Sequence, residues 1–182
     1  MRKITCLKVL ILMLTLSNFA HGQELPSNFA ALTMKIYLGV CVPSGGNYDI
    51  VSSAANKMQL TLLPESKTDE FLRGNTGTVW ATGDENALLA LALTKDGNCT
   101  VFVQRIDSSE LTALFETWLP PTDASFRIDE THEKSKNGSI TRTYAIYRNG
   151  KPFQSWVLMV GAGQYTQAAM SVRPVRPDRP DK

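Results

Sequence analysis

Cys41 and Cys99 are the residues whose type most invites chemistry once a leader is set aside. A redox pair usually stands as C-x-x-C, and a nucleophilic cysteine wants a histidine in reach. These two lie far apart, one at a helix end and one in a central strand. The spacing favours a structural disulfide over a redox or nucleophilic thiol. Such a bridge is worth about 4 kcal/mol by the chain-entropy argument if it is unstrained.

The second cluster is Asp129-Glu130-Thr131-His132-Glu133. In a strand, Glu130 and His132 share one face while Asp129 and Glu133 share the other. One histidine with one carboxylate is half a metal site at best, so no metal and no cofactor is expected. Gly-x-Ser-x-Gly, His-Glu-x-x-His and P-loop patterns do not occur. Ser66-Lys67 and Ser135-Lys136 place adjacent side chains on diverging directions, which suits hydrophilic loops better than a catalytic dyad. A carboxylate pair acting as acid and base is the remaining route to a hydrolase. Trp80, Trp118 and Trp156, with Phe102, Phe115 and Phe153, follow periodicities that fit core faces more than ligand contacts.

The positioning of these groups starts with an address. Arg2, Lys3 and Lys8 precede an apolar run from Val9 to Leu16, and Ala20-His21-Gly22 offers small residues before Gln23. This reads as a secretory signal peptide over residues 1–22. Its apolar stretch is shorter than the roughly 20 residues a spanning helix needs, so no stable membrane insertion is expected after cleavage. The leader takes three of the 19 basic residues and none of the 17 acidic ones, leaving a net charge of −1. That balance argues against nucleic-acid binding. Cys41 and Cys99 would then enter an oxidising compartment, periplasmic or secreted.

Residues 23–172 read as one α+β domain, and 173–182 as a flexible Pro-rich tail. Pro26-Ser27 starts a helix with Phe29, Leu32, Ile36 and Val40 at helical spacing, ended by Pro43-Ser44-Gly45-Gly46. A second helix carries Ile50, Val51, Ala54, Ala55 and Met58, capped by Asn47 or Asp49. Residues 65–72 make one short helical turn. Strands follow at 78–81, 87–93 and 99–103, the last two joined at Asp96-Gly97. Asp107 and Glu110 form a capping box for a helix whose apolar face comprises Leu111, Leu114, Phe115, Trp118 and Leu119, stopped by Pro120-Pro121. Four alternating runs then follow at 126–133, 140–147, 153–160 and 165–172, with turns at Asn137-Gly138 and Asn149-Gly150. The expected architecture is two N-terminal helices on an antiparallel sheet of about six strands, with one helix inserted mid-sheet.

With these elements in place, Cys41-Val42-Pro43, Gly77-Thr78-Val79-Trp80 and Gly97-Asn98-Cys99-Thr100-Val101-Phe102 resemble an uncharacterised proteobacterial family of small exported proteins. The resemblance covers roughly residues 30 to 172 and implies a bacterial envelope protein with a paired cysteine. It carries no activity and no catalytic residue.

Export, a stapled scaffold and no catalytic kit point to a non-catalytic periplasmic protein that binds another protein of the cell envelope, of inhibitor or immunity type. The alternatives are a small-molecule binding or sensing module and a hydrolase with a carboxylate site. Loops on a rigid scaffold usually carry such contacts, which nominates Asn47 and Tyr48 beside Gly45-Gly46, and Arg73 and Asn75 beside Gly74. Tyr and Arg are the hot-spot types, and Asn is an adaptable hydrogen-bonding neighbour.

Overall fold

A computed structural model describes residues 29–82, 89–135, 137–163 and 165–175. Residues 1–22, where a leader is expected, Pro26-Ser27, Ala87, Lys136 and the tail beyond Val175 therefore lie outside the described residues.

Among the described residues, eight strands form one antiparallel sheet in the order β1-β2-β3-β4-β8-β7-β6-β5. They are β1 (Thr61–Leu62), β2 (Gly77–Ala81), β3 (Leu89–Thr94), β4 (Cys99–Asp107), β5 (Phe126–Lys134), β6 (Ile140–Arg148), β7 (Lys151–Val160) and β8 (Tyr165–Pro174). The helices are α1 (Phe29–Ile36), α2 (Tyr48–Lys57), α3 (Asp69–Leu72) and α4 (Ser108–Thr117). The chain is thus α+β, with α4 inserted between β4 and β5. The sheet holds eight strands where about six were expected. One addition is β1, two residues long and too short to show a period.

Side-chain alternation divides the sheet into two faces. The register sets Leu158, Met170, Val101, Leu91 and Trp80 in one row across β7, β8, β4, β3 and β2. This row belongs to the main core, completed by Met34, Tyr37, Val51, Leu111 and Phe115 from the helical layer. Burial of this kind stabilises by roughly 1.5–3 kcal/mol per large apolar side chain.

The N-terminal helix differs from its expected face. Leu32 is 47% exposed, whereas Thr33, Met34 and Tyr37 are buried. After Ile36 the chain widens into a π-helical stretch, Tyr37–Cys41, and then an α-helical turn, Val42–Ser44. Pro43 therefore does not stop the helix, which ends one residue later where Gly45 turns left-handed at φ 57°. The stretch turns Tyr37, Val40 and Cys41 inward. Cys41 bonds to Cys99 at the start of β4, with Cα atoms 5.3 Å apart. The disulfide ties the helical layer to the sheet.

Several polar groups buried between the layers are paired. Tyr37 donates its hydroxyl to Ser171 O at 3.0 Å, and burial pushes its ionisation well above the ordinary tyrosine value. Trp156 Nε1 donates to Gln154 Oε1 at 2.8 Å, and Gln154 Nε2 donates to Val42 O at 3.0 Å. Nearby, the backbone of Gly46 (φ +80°) lies so close to the β3–β4 turn that a β-carbon would stand 2.5 Å from Gly97 O. Only glycine combines that φ with that contact.

Further apolar expectations are corrected. Phe153 of β7 is 38% exposed, and Trp118 is 58% exposed instead of core. α4 ends at Thr117, and Trp118, at φ −98° and ψ 6°, has already left helical geometry. Its side chain no longer follows the 3.6 period that carries Leu111 and Phe115 inward. Ile50 is likewise 47% exposed, leaving Val51 and Ala55 as the buried face of α2. At the far end of the sheet, β8 continues to Pro174, two residues past the expected Val172, and Val175 N donates to Phe153 O at 3.1 Å.

Candidate functional site

Among the described residues, the second face of the sheet is only half covered. Leu72 of α3, with Leu63, Phe71 and Phe102, packs on Val79, Ala81, Ala90 and Ala92 of β2 and β3. Farther across, the register aligns Thr143, Val157, Ser171 and Thr100 in one row. A neighbouring row holds Thr141, Met159, Ala169 and Phe102. A solvated sheet face ordinarily carries long charged side chains in its centre. Here the first row is built of short side chains, beside the longer Met159 and Phe102 of the second.

Three depressions mark this floor. The first, about 400 Å³, is lined by Asn75, Thr94, Asp96, Asn98, Ser155, Val157, Met159, Ser171 and Arg173. The second, about 400 Å³, includes Arg73, Phe102, Asn137, Ser139, Thr141, Met159 and Gln167. A smaller one of about 190 Å³ lies under α3, between Glu70, Phe71, Arg73, Phe102 and Gln167. Met159 is shared by the first two, and Arg73, Phe102 and Gln167 by the last two. Together they form one continuous groove.

Local chemistry fixes its walls. The β3–β4 turn is closed by Gly97 N donating to Thr94 O at 2.9 Å and by Asn98 N donating to Thr94 Oγ1 at 3.0 Å. Thr94 also donates its hydroxyl to Asp96 Oδ1. That bond, the backbone amides of Asp96 and Asn98 and the charge of Arg173 hold the Asp96 carboxyl below the usual carboxylate range, against a smaller opposing effect of burial. Beside that turn, where Lys95 N donates to Thr76 O at 2.8 Å, Arg73 caps α3 in left-handed geometry, φ 49°. Asn75 Nδ2 donates to Leu72 O at 2.8 Å, which fixes its amide beside the first depression. On the floor, the Thr100 and Ser171 hydroxyls hydrogen-bond each other at 2.7 Å.

The four nominated loop residues separate into two pairs on opposite faces of the sheet. Arg73 and Asn75 line the groove. Asn47 caps α2, its Oδ1 accepting from Asp49 N at 2.9 Å and Ile50 N at 3.2 Å. Tyr48 is 51% exposed, with its ring 5.9 Å from that of Trp80 on the helical side. Leu62, 57% exposed, stands directly opposite Trp80 across the β1–β2 ladder. The rest of the groove, Asp96, Asn98, Ser155, Ser171 and Arg173, was missed. The available signal was the run of Ser, Val, Ala and Thr at outward positions of β4, β7 and β8, where charges belong on a solvated face.

Glu130 and His132 do share a face, with Glu130 Oε1 and His132 Nε2 2.6 Å apart. Opposite them on β6 stand Tyr144 and Arg142, and Arg142 pairs with Glu116 of α4. The Tyr144 hydroxyl is buried without a hydrogen-bond partner among the described residues, and so is Arg142 Nε. Burial, then the nearby Glu130, drives the Tyr144 ionisation above the ordinary tyrosine value. This is an ion-pair cluster at the sheet margin, and none of the three depressions reaches it. Among the described residues no three His, Cys, Asp or Glu side chains group to hold a metal ion, and no helix is long and apolar enough to cross a membrane.

No family model, curated protein or solved structure matches this chain.

Proposed function

We propose that the chain is an exported, non-catalytic binding protein of the cell envelope, and that it holds a small polar ligand on the uncovered face of its sheet. The observation that carries this reading is the continuity of the depressions, two of about 400 Å³ meeting at Met159. Each falls within the range of small-molecule clefts, roughly 300–1,000 Å³. The signal-peptide pattern supports export, and the disulfide is compatible with an oxidising compartment. The test is an amide NMR titration of the mature protein with a library of polar metabolites. Shifts should cluster on the β3–β4 turn, β7 and β8. Shifts confined to the helical side would refute the reading.

A second reading, a protein partner of inhibitor or immunity type, is favoured by a separate surface. Tyr48 and Leu62 flank Trp80 as an exposed aromatic–aliphatic pair, and Tyr is among the residue types that carry most energy at protein interfaces. Under that reading Tyr48→Ala weakens capture of an envelope protein and leaves the groove titration unchanged.

A further inference from the structure

Three features of the groove narrow its ligand, and the inference rests on the small-ligand reading above. First, the charged groups of the first depression, Asp96 and Arg173, oppose each other, and the other polar groups are amides and hydroxyls. A cation would meet Arg173 and an anion would meet Asp96, which the hydroxyl of Thr94 helps to keep ionised. The complement is a neutral molecule whose groups both donate and accept hydrogen bonds. Second, Val157 and Met159 give this depression an aliphatic floor, on which the C–H face of a saturated ring can pack. Third, Met159 joins this depression to the one beside Thr141 and Ser139. From Ser155 to Met159 the strand rises roughly 13 Å, too long for one ring and suited to a chain of them.

We infer that the groove binds a neutral oligosaccharide, with one sugar unit between Asp96, Asn98 and Arg173 and the next across Met159 toward Thr141. Sugar hydroxyls supply donors and acceptors in pairs, and the C–H face of the ring lies on Val157 and Met159. The hydroxyls of Thr100 and Ser171 satisfy each other at 2.7 Å, so covering them leaves few polar groups unpaired. Two joined subsites make a trisaccharide bind more tightly than its monomer, because the second contact becomes intramolecular.

The experiment titrates the folded mature protein by amide NMR with maltotriose, cellotriose and N,N′,N″-triacetylchitotriose, each beside its monosaccharide, and with triglycine and citrate as other polar probes. At least one trisaccharide should shift resonances in both depressions and bind about tenfold or more tightly than its monomer. Ser155→Trp and Thr141→Trp each fill one depression, and each should reduce that trisaccharide to monomer-like affinity. Asp96→Asn, nearly isosteric, should weaken it without unfolding the protein, and the wild-type shift map stands even if a tryptophan variant fails to fold. Groove shifts with triglycine or citrate and none with any sugar overturn the saccharide assignment and leave the small-ligand reading intact. No groove response to any probe or to the metabolite library overturns both.

Discussion

Replacing Cys41 and Cys99 together by alanine removes the covalent tie between the helical layer and β4. The bridge closes a sequence separation of 58 residues, and the chain-entropy relation gives roughly 4 kcal/mol at 25 °C for a loop of that size. Both side chains are buried, at 1% and 0% exposure, so the alanines also leave a small void. Against a typical net stability of about 5–15 kcal/mol the loss is large. At about 2–4 °C per kcal/mol for a domain near this size, the melting temperature should fall by roughly 8–16 °C. Calorimetry at pH 7 would compare the oxidised protein, the same protein with reductant, and the double variant. The last two should melt close together and well below the first. The reasoning fails if alkylation finds two free thiols in the folded protein, or if the double variant melts within about 2 °C of the oxidised protein.

Two buried tyrosines should respond unequally to loss of a hydroxyl. Tyr37→Phe removes a hydrogen bond to Ser171 O and should cost about 1–2 kcal/mol in urea unfolding, more than Tyr144→Phe, whose hydroxyl faces the Glu130 carboxylate without a well-formed hydrogen bond. The reverse order would contradict both assignments. Asp96 should contribute to acid sensitivity. Its carboxyl is held below the ordinary value, so its stabilisation is present above the unfolded value, near 3.9, and is lost as pH falls through the lower folded value. The stability gap between the wild type and Asp96→Asn should therefore be open at pH 7 and close under acid. A gap that stays constant with pH would show that the carboxylate's charge is not what closes the turn.

The elements were legible where local chemistry and period agree. Asp107 accepts from Ser109 N at 3.0 Å and Glu110 N at 2.9 Å, so the α4 start follows from its cap. The turns at Asn137-Gly138 and Asn149-Gly150 lie between strands because φ is positive at Gly138, Asn149 and Gly150. Leu89 to Leu93 is buried on both faces, as a run without alternation implies. What stayed illegible depended on where a period stops. Leu32 and Trp118 fit the helical spacing and are exposed: Leu32 lies off the face that meets the sheet, and Trp118 lies one residue past the last helical turn.

The groove was illegible for a different reason. Its residues come from the β3–β4 turn, β7 and β8, and meet only because β8 pairs with β4 across the α4 insertion, setting Ser171 opposite Thr100. Sequence neighbours pair by hairpins, and no local signal announces a pairing over that distance. The alternation in β7 and β8 still held a usable clue. Ser155, Val157, Ala169 and Ser171 occupy outward positions, and four short side chains there are a poor solution for a face that only water touches. The register turns that oddity of composition into a recessed surface, and Arg73 and Asn75 matter because the α3 turn sets them at its rim instead of in an isolated loop.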